Sequence, residues 1–467
     1  MQHSPLSLHS HRWKVLTAGV AANAAFSVAF SGIPMTAVVM RAGYRLDNAT
    51  LGLMLGLIGL GIAISELPWG LLTDRWGDRP VLLTGLGTTA LALIAMALLA
   101  APRAGHVPGP AWLGSGLLLV GLLGGSVNGA SGRAVMGWFA EGERGLAMSI
   151  RQTAVPLGGG IGALLLPWIA MHAGFAALYG FLAGLCLLSG WLTWRWVHEP
   201  PGRSEGEYRS AAARRYSIEP LGRSEGGCRS AAARSLPGMP PAAHAAPEAA
   251  KVSRPAHGPL RDARVWRIVM GIGILCAPQF AVLSFGTVFL HDFAHVGFAA
   301  ISATMVGLQI GAMAMRVWSG RWTDRRRNRP AYLRACSALS AALFMALGLA
   351  TWAAAGTAAT SAGPRTLWIL LILACGVCVS AWHGVAYTEL ATLSGPARAG
   401  TALGMANTSV FAVCFLTPLS IPHLLAWRDW PVVWFAAAAC AVVALPLLTA
   451  PPRIQAKLSK TALSRST

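Results

Sequence analysis

Glu66 and Arg316 sit inside apolar stretches, each four residues before the glycine of a charged phrase, at Gly70 and Gly320. One helical turn separates charge from glycine, so both charges lie on the same helix stripe and deeper than the loops that follow. An ionisable group within a membrane-length apolar run is costly unless it faces a cavity or a partner. A guanidinium so placed can grip a carboxylate with two hydrogen bonds, and a carboxylate so placed can carry a proton. The chemistry in view is ion binding rather than bond making. No H-E-x-x-H run is present, so the chain reads as no enzyme and implies no cofactor and no metal.

Other candidates share this setting. Arg151 and Gln152 fall in the fifth apolar stretch, with Asn407 at the matching place in the eleventh when Gly145 is aligned with Gly400. With Arg316 and Asn128 they form the expected substrate-binding set. Glu66, Glu389 and His383 are the proton-coupling candidates, since a carboxylate or imidazole in low dielectric can titrate near neutrality. Blander readings stand beside these. Arg316 can be a structural or gating ion pair with Glu66 or Glu389, or can snorkel to the interface; Arg151 can serve packing; Glu66 can be a helix-end partner of Arg79.

The phrases repeat. Gly70 to Pro80 reads G-L-L-T-D-R-W-G-D-R-P, and Gly320 to Pro330 reads G-R-W-T-D-R-R-R-N-R-P. Asp74 and Asp324 are 250 positions apart (324 − 74). A repeat of that period in apolar sequence predicts two similar membrane halves. Charged residues are 12% of the chain and hydrophobic ones 55%, against roughly 25% charged in a soluble domain.

The net charge of +20 raises nucleic acid as a partner, but its distribution points elsewhere. Basic residues crowd the 199–262 segment, the 321–329 loop and the tail, whereas the alternate loops carry single cations such as Arg45, Arg103, Arg365 and Arg428. This positive-inside bias predicts an inner (plasma) membrane protein with both termini, the central segment and both phrases in the cytoplasm, and no nucleic-acid role.

Helix-spanning apolar runs are expected at 15–40, 48–72, 80–101, 111–139, 145–170 and 175–197, then at 265–290, 298–319, 330–354, 365–390, 398–422 and 430–450. The expected layout is a cytoplasmic tail at 1–14, a six-helix bundle at 15–198, a disordered basic linker at 199–262, a second bundle at 263–450 and a cytoplasmic tail at 451–467. Within the linker, Gly202 to Gly206 recurs as Gly222 to Gly226, a small tandem duplication. Seven of eight cysteines fall in or beside spans, where a thiol packs as a small apolar group.

Gly70-x-Leu72-x-Asp74-Arg75-x-Gly77-x-Arg79, between the second and third spans, is similar to the signature loop of the major facilitator superfamily. The resemblance covers the whole twelve-span layout, although Arg327 replaces the glycine in the second copy. It implies an all-α membrane protein with two six-helix bundles related by pseudo-twofold symmetry. It also implies gating roles for Asp74, Arg75, Arg79, Asp324, Arg325 and Arg144. In that scheme Asp74 braces the start of the eleventh helix near Gly400, and Asp324 faces the start of the fifth near Arg144. Asn128 to Phe139 followed by Arg144 to Met148 resembles the fourth-to-fifth connection of monocarboxylate-type facilitators. The string Arg316-x-x-x-Gly320-x-x-x-Asp324 resembles the eighth-span pattern of oxalate, nitrate and monocarboxylate facilitators, whose arginine holds the substrate anion.

These readings combine into a secondary transporter of a small solute, an organic anion such as a carboxylate, working by alternating access with a coupling proton. Its partners are the small-molecule substrate and the bilayer, and a monomer is the expected state. The alternatives are a proton-driven multidrug or metabolite efflux pump and, more remotely, a non-transporting membrane sensor.

Overall fold

Polar breaks in the sequence become the turns between long helices. The structure, a computed structural model, describes residues 5–103, 105–139, 144–198, 259–354, 362–394 and 399–448. Twelve helices among these are long and apolar enough to cross a membrane. In the first half they are His11–Gly43, Asn48–Thr73, Asp78–Leu99, Pro110–Trp138, Ile150–His172 and Gly174–Trp196. In the second half they are Ala263–Phe293, Phe298–Arg326, Arg329–Ala354, Arg365–Ser394, Gly400–Arg428 and Trp430–Leu447. No strand occurs among the described residues, as expected where a backbone in lipid must satisfy its own hydrogen bonds.

The expected linker at 199–262 and the C-terminal tail at 451–467 lie outside the described residues except for 259–262. There a single 3-10 turn, Pro259–Arg261, leads into the seventh span. The first helix already begins at Pro5, inside the stretch expected as a polar tail.

Local chemistry sets the boundaries. Asp47 caps the second span by accepting from the Thr50 amide at 2.8 Å, a bond that holds its carboxyl below the usual carboxylate range. Asp262 and Asp429 cap the seventh and twelfth spans in the same way. Between the second and third spans the chain turns at Gly77, whose φ of +88° and ψ of 170° suit only glycine. At the equivalent turn of the second half Arg327 adopts φ +51°, a left-handed conformation taken without glycine.

Successive spans alternate in direction, so one end of the bundle carries the two phrases and the other carries the 43–48 and 293–298 turns. Within the first half, the first span packs on the fifth and sixth, the second on the fourth, and the third on the sixth. In the second half, the seventh packs on the eleventh and twelfth and the ninth on the twelfth. Three pairs join the halves: second with eleventh, fifth with eighth, and first with seventh. The first two are the same contact with the halves exchanged, as a duplicated architecture requires.

The second–eleventh pair is a backbone seam. A Cβ at Gly52 would sit 2.2 Å from the Pro418 carbonyl, and one at Gly56 would sit 2.8 Å from that of Phe415. Small residues at this spacing let helices touch main chain to main chain. Nearer the phrases a Cβ at Gly70, Gly400 or Gly404 would meet nothing within 4 Å.

Candidate functional site

Where the three pairs of spans meet, the apolar helices carry a polar layer. Arg151 lies one residue inside the fifth span and is 5% exposed. Its Nε donates to Ser131 Oγ at 3.0 Å and its Nη2 to the Asn128 carbonyl at 2.5 Å. Both partners belong to the fourth span, whose helix is interrupted at Gly125, so Arg151 is held by neutral groups of its own half.

Glu66 faces both halves. Its Oε1 accepts from Asn407 Nδ2 at 3.0 Å, across to the eleventh span, and its Oε2 accepts from Asn128 Nδ2 at 3.5 Å. Asn407 is oriented in turn by Tyr387, whose hydroxyl donates to Asn407 Oδ1 at 2.9 Å. The carboxylate therefore closes a chain running from the tenth span through the eleventh to the second and fourth.

Arg316 completes the layer from the eighth span. Its Nη1 donates to the Gln152 carbonyl at 3.4 Å, bridging the halves, while its Nε is buried with no hydrogen-bond partner. His383 stacks on Trp382 with centroids 3.8 Å apart and its Nδ1 lies 3.2 Å from the Ser380 carbonyl. Arg316 is within electrostatic reach of His383 and Tyr387, and Glu66 within reach of Arg151.

Glu66, Arg316, His383 and Tyr387 are each half-buried. This layer sets two guanidiniums, of Arg151 and Arg316, against the Glu66 carboxylate, and Arg316 has no carboxylate partner among the described residues. Two grooves of about 380 and 290 Å³ lie elsewhere, on apolar flanks lined by Trp266 and Met270 and by Leu187 and Trp191.

The structure thus gathers Arg316, Arg151, Gln152, Asn128, Asn407, Glu66 and His383. Glu389 is half-buried six residues beyond His383 and has no partner among the described residues. The gating candidates are spread out. The Asp74 and Arg144 side chains lie outside what the structure describes, and Arg75 and Arg325 are exposed. Arg79 Nη2 donates to the Trp194 carbonyl at 2.8 Å, and Asp324 pairs at 3.0 Å with Arg329, the first residue of the ninth span.

Two ion pairs emerge that the sequence reading passed over. At the phrase end Arg133 binds Asp78 at 2.5 Å and also bonds the Thr73 carbonyl, tying the fourth span to the first phrase. At the opposite end Arg41 grips Asp292 with both nitrogens, at 2.6 and 2.7 Å, and also donates to Asn48 Oδ1 at 3.0 Å. His291 Nδ1 lies 2.7 Å from Asp292 Oδ1. A π turn at Phe289–Phe293 carries Asp292 to this position. Arg41 and Asp292 are 251 residues apart, close to the 250 of the phrases, which is the signal that could have found them.

Twelve spans in two packed halves around an internal charged layer define a multi-pass membrane transporter of a small solute. A sequence profile of the Major Facilitator Superfamily matches residues 17–347, and the chain belongs to that family. It is 26% identical over 459 residues to an uncharacterized MFS-type transporter of Mycobacterium tuberculosis H37Rv, covering 97% of this chain and 89% of the relative. Over 179 residues, 36% of this chain and 38% of the relative, it is 24% identical to the probable galactarate/D-glucarate transporter GudP of Escherichia coli K12. In fold it resembles the xylose transporter XylE of E. coli in a partially occluded inward-open conformation. There the TM-score is 0.69 at 14% identity, over 94% of this chain and 97% of that one.

Proposed function

We propose that the chain is a secondary active transporter of small organic anions, carboxylates foremost, moved by alternating access of the two halves. The observation that carries this reading is Arg316: half-buried where the halves meet, with an Nε that has no hydrogen-bond partner and no carboxylate beside it among the described residues. Arg151 adds positive potential from the other half, and Asn407 and Asn128 supply amide donors. The partial relative named for two sugar diacids agrees with an anionic cargo.

In this reading Glu66 is the proton carrier, since it links the halves through Asn407 and lies near Arg151. The phrase end faces the cytoplasm by the positive-inside bias, in an inner-membrane orientation. The test is counterflow of labelled carboxylates into proteoliposomes by wild type and Arg316→Ala. Loss of a charge-assisted bond predicts a drop of about tenfold or more. Equal uptake by the two proteins would remove Arg316 from the substrate site.

A further inference from the structure

One helical turn beyond the charged layer, toward the opposite end, three phenylalanines from three spans meet. Phe30 of the first span stacks on Phe280 of the seventh with centroids 5.7 Å apart and planes 22° apart. It meets Phe411 of the eleventh edge-on at 5.5 Å and 79°. Phe26 continues the stack behind Phe30 at 6.5 Å. Phe411 is four residues from Asn407 and Phe280 four from Cys276, which is within electrostatic reach of Arg316. The aromatic layer therefore lies about 6 Å above the polar one.

Phe280 is buried, but Phe30 and Phe411 keep accessible surface although they sit at the contact between halves. The contact between the halves thus carries a cation at Arg316 and, about one helical turn away, partly exposed aromatic rings at Phe30 and Phe411.

We propose that the transported anion is a small aromatic monocarboxylate, a refinement that rests on the anion reading above. Its carboxylate pairs with Arg316, and its ring fills the place beside Phe30 and Phe411, where offset and edge-on ring contacts are favourable. One unpaired guanidinium matches one negative charge. A polyhydroxylated acid would press its hydroxyls against ring faces and lose their hydrogen bonds. A lipophilic cation would fit the rings but meet two guanidiniums.

Full-length protein in proteoliposomes tests this through exchange of radiolabelled benzoate, lactate and galactarate, each against its own unlabelled form, with ethidium uptake alongside. The expectation is benzoate exchange about tenfold faster than that of the other two anions and no ethidium uptake. Phe411→Leu should lower the benzoate-to-lactate ratio about tenfold, with thermal unfolding followed as the check on folding. If lactate or galactarate exchanges as fast as benzoate and depends on Arg316, the aromatic assignment falls and the anion reading stands. If no carboxylate exchanges, or ethidium is carried instead, both fall.

Discussion

Both oxygens of Glu66 accept from amide nitrogens, of Asn407 and Asn128, and the Asn407 oxygen is already taken by the Tyr387 hydroxyl. This arrangement suits an ionised carboxylate. Protonation would add a donor, which the Asn407 oxygen can accept only if the amide turns over and releases Tyr387. Glu66→Gln, which carries a donor where the acid would be protonated, should keep anion exchange but lose acceleration by an inward proton gradient. Retained acceleration would mean another group carries the proton. Tyr387→Phe removes the hydrogen bond that orients Asn407; at about 1 kcal/mol, the binding of the transported anion should weaken about fivefold in a titration of the purified protein.

The paired turns after the second and eighth spans invite a comparison within one chain. Gly77 takes φ +88° freely, whereas Arg327 is held at φ +51° with a side chain attached. Arg327→Gly should stabilise the protein by about 1 kcal/mol, read as a rise in the thermal midpoint, and Gly77→Ala should lower it by about 1–3 kcal/mol. That the two turns correspond was legible from the repeated phrase alone, as were the twelve helices, because apolar length and period reveal depth along a helix. The same rule of costly buried charge singled out Glu66, Arg151 and Arg316. Azimuth was not legible. Tyr387 reads as one more aromatic of the tenth span until packing turns it onto Asn407, and Arg133 reads as a loop-end cation until the fold brings Asp78 beneath it. Partners twenty to several hundred residues apart are chosen by how helices rotate in the bundle, which one sequence does not encode as spacing.

At the scale of the molecule, the bidentate Arg41–Asp292 pair joins the first and seventh spans at the end opposite the phrases. Any state open at that end must break it. Asp292→Asn removes the negative charge and one of the two acceptors facing Arg41, and should shift the population toward that state by about ten- to a hundredfold, since a charge-assisted pair is worth about 1.5–3 kcal/mol. Spin labels on the 43–48 and 293–298 turns would show the longer distance gaining weight, and unchanged distances would assign the pair to static packing. The glycine seam at Gly52 and Gly56 adds a mechanical consequence. Main chain resting on main chain leaves no side-chain cushion to deform, so the seam acts as a fulcrum and the rest of the second span as its lever. Ten residues separate Gly56 from Glu66, about 15 Å of arm, so tilting by about 20° sweeps the acid through about 5 Å, roughly the breadth of a flat ring.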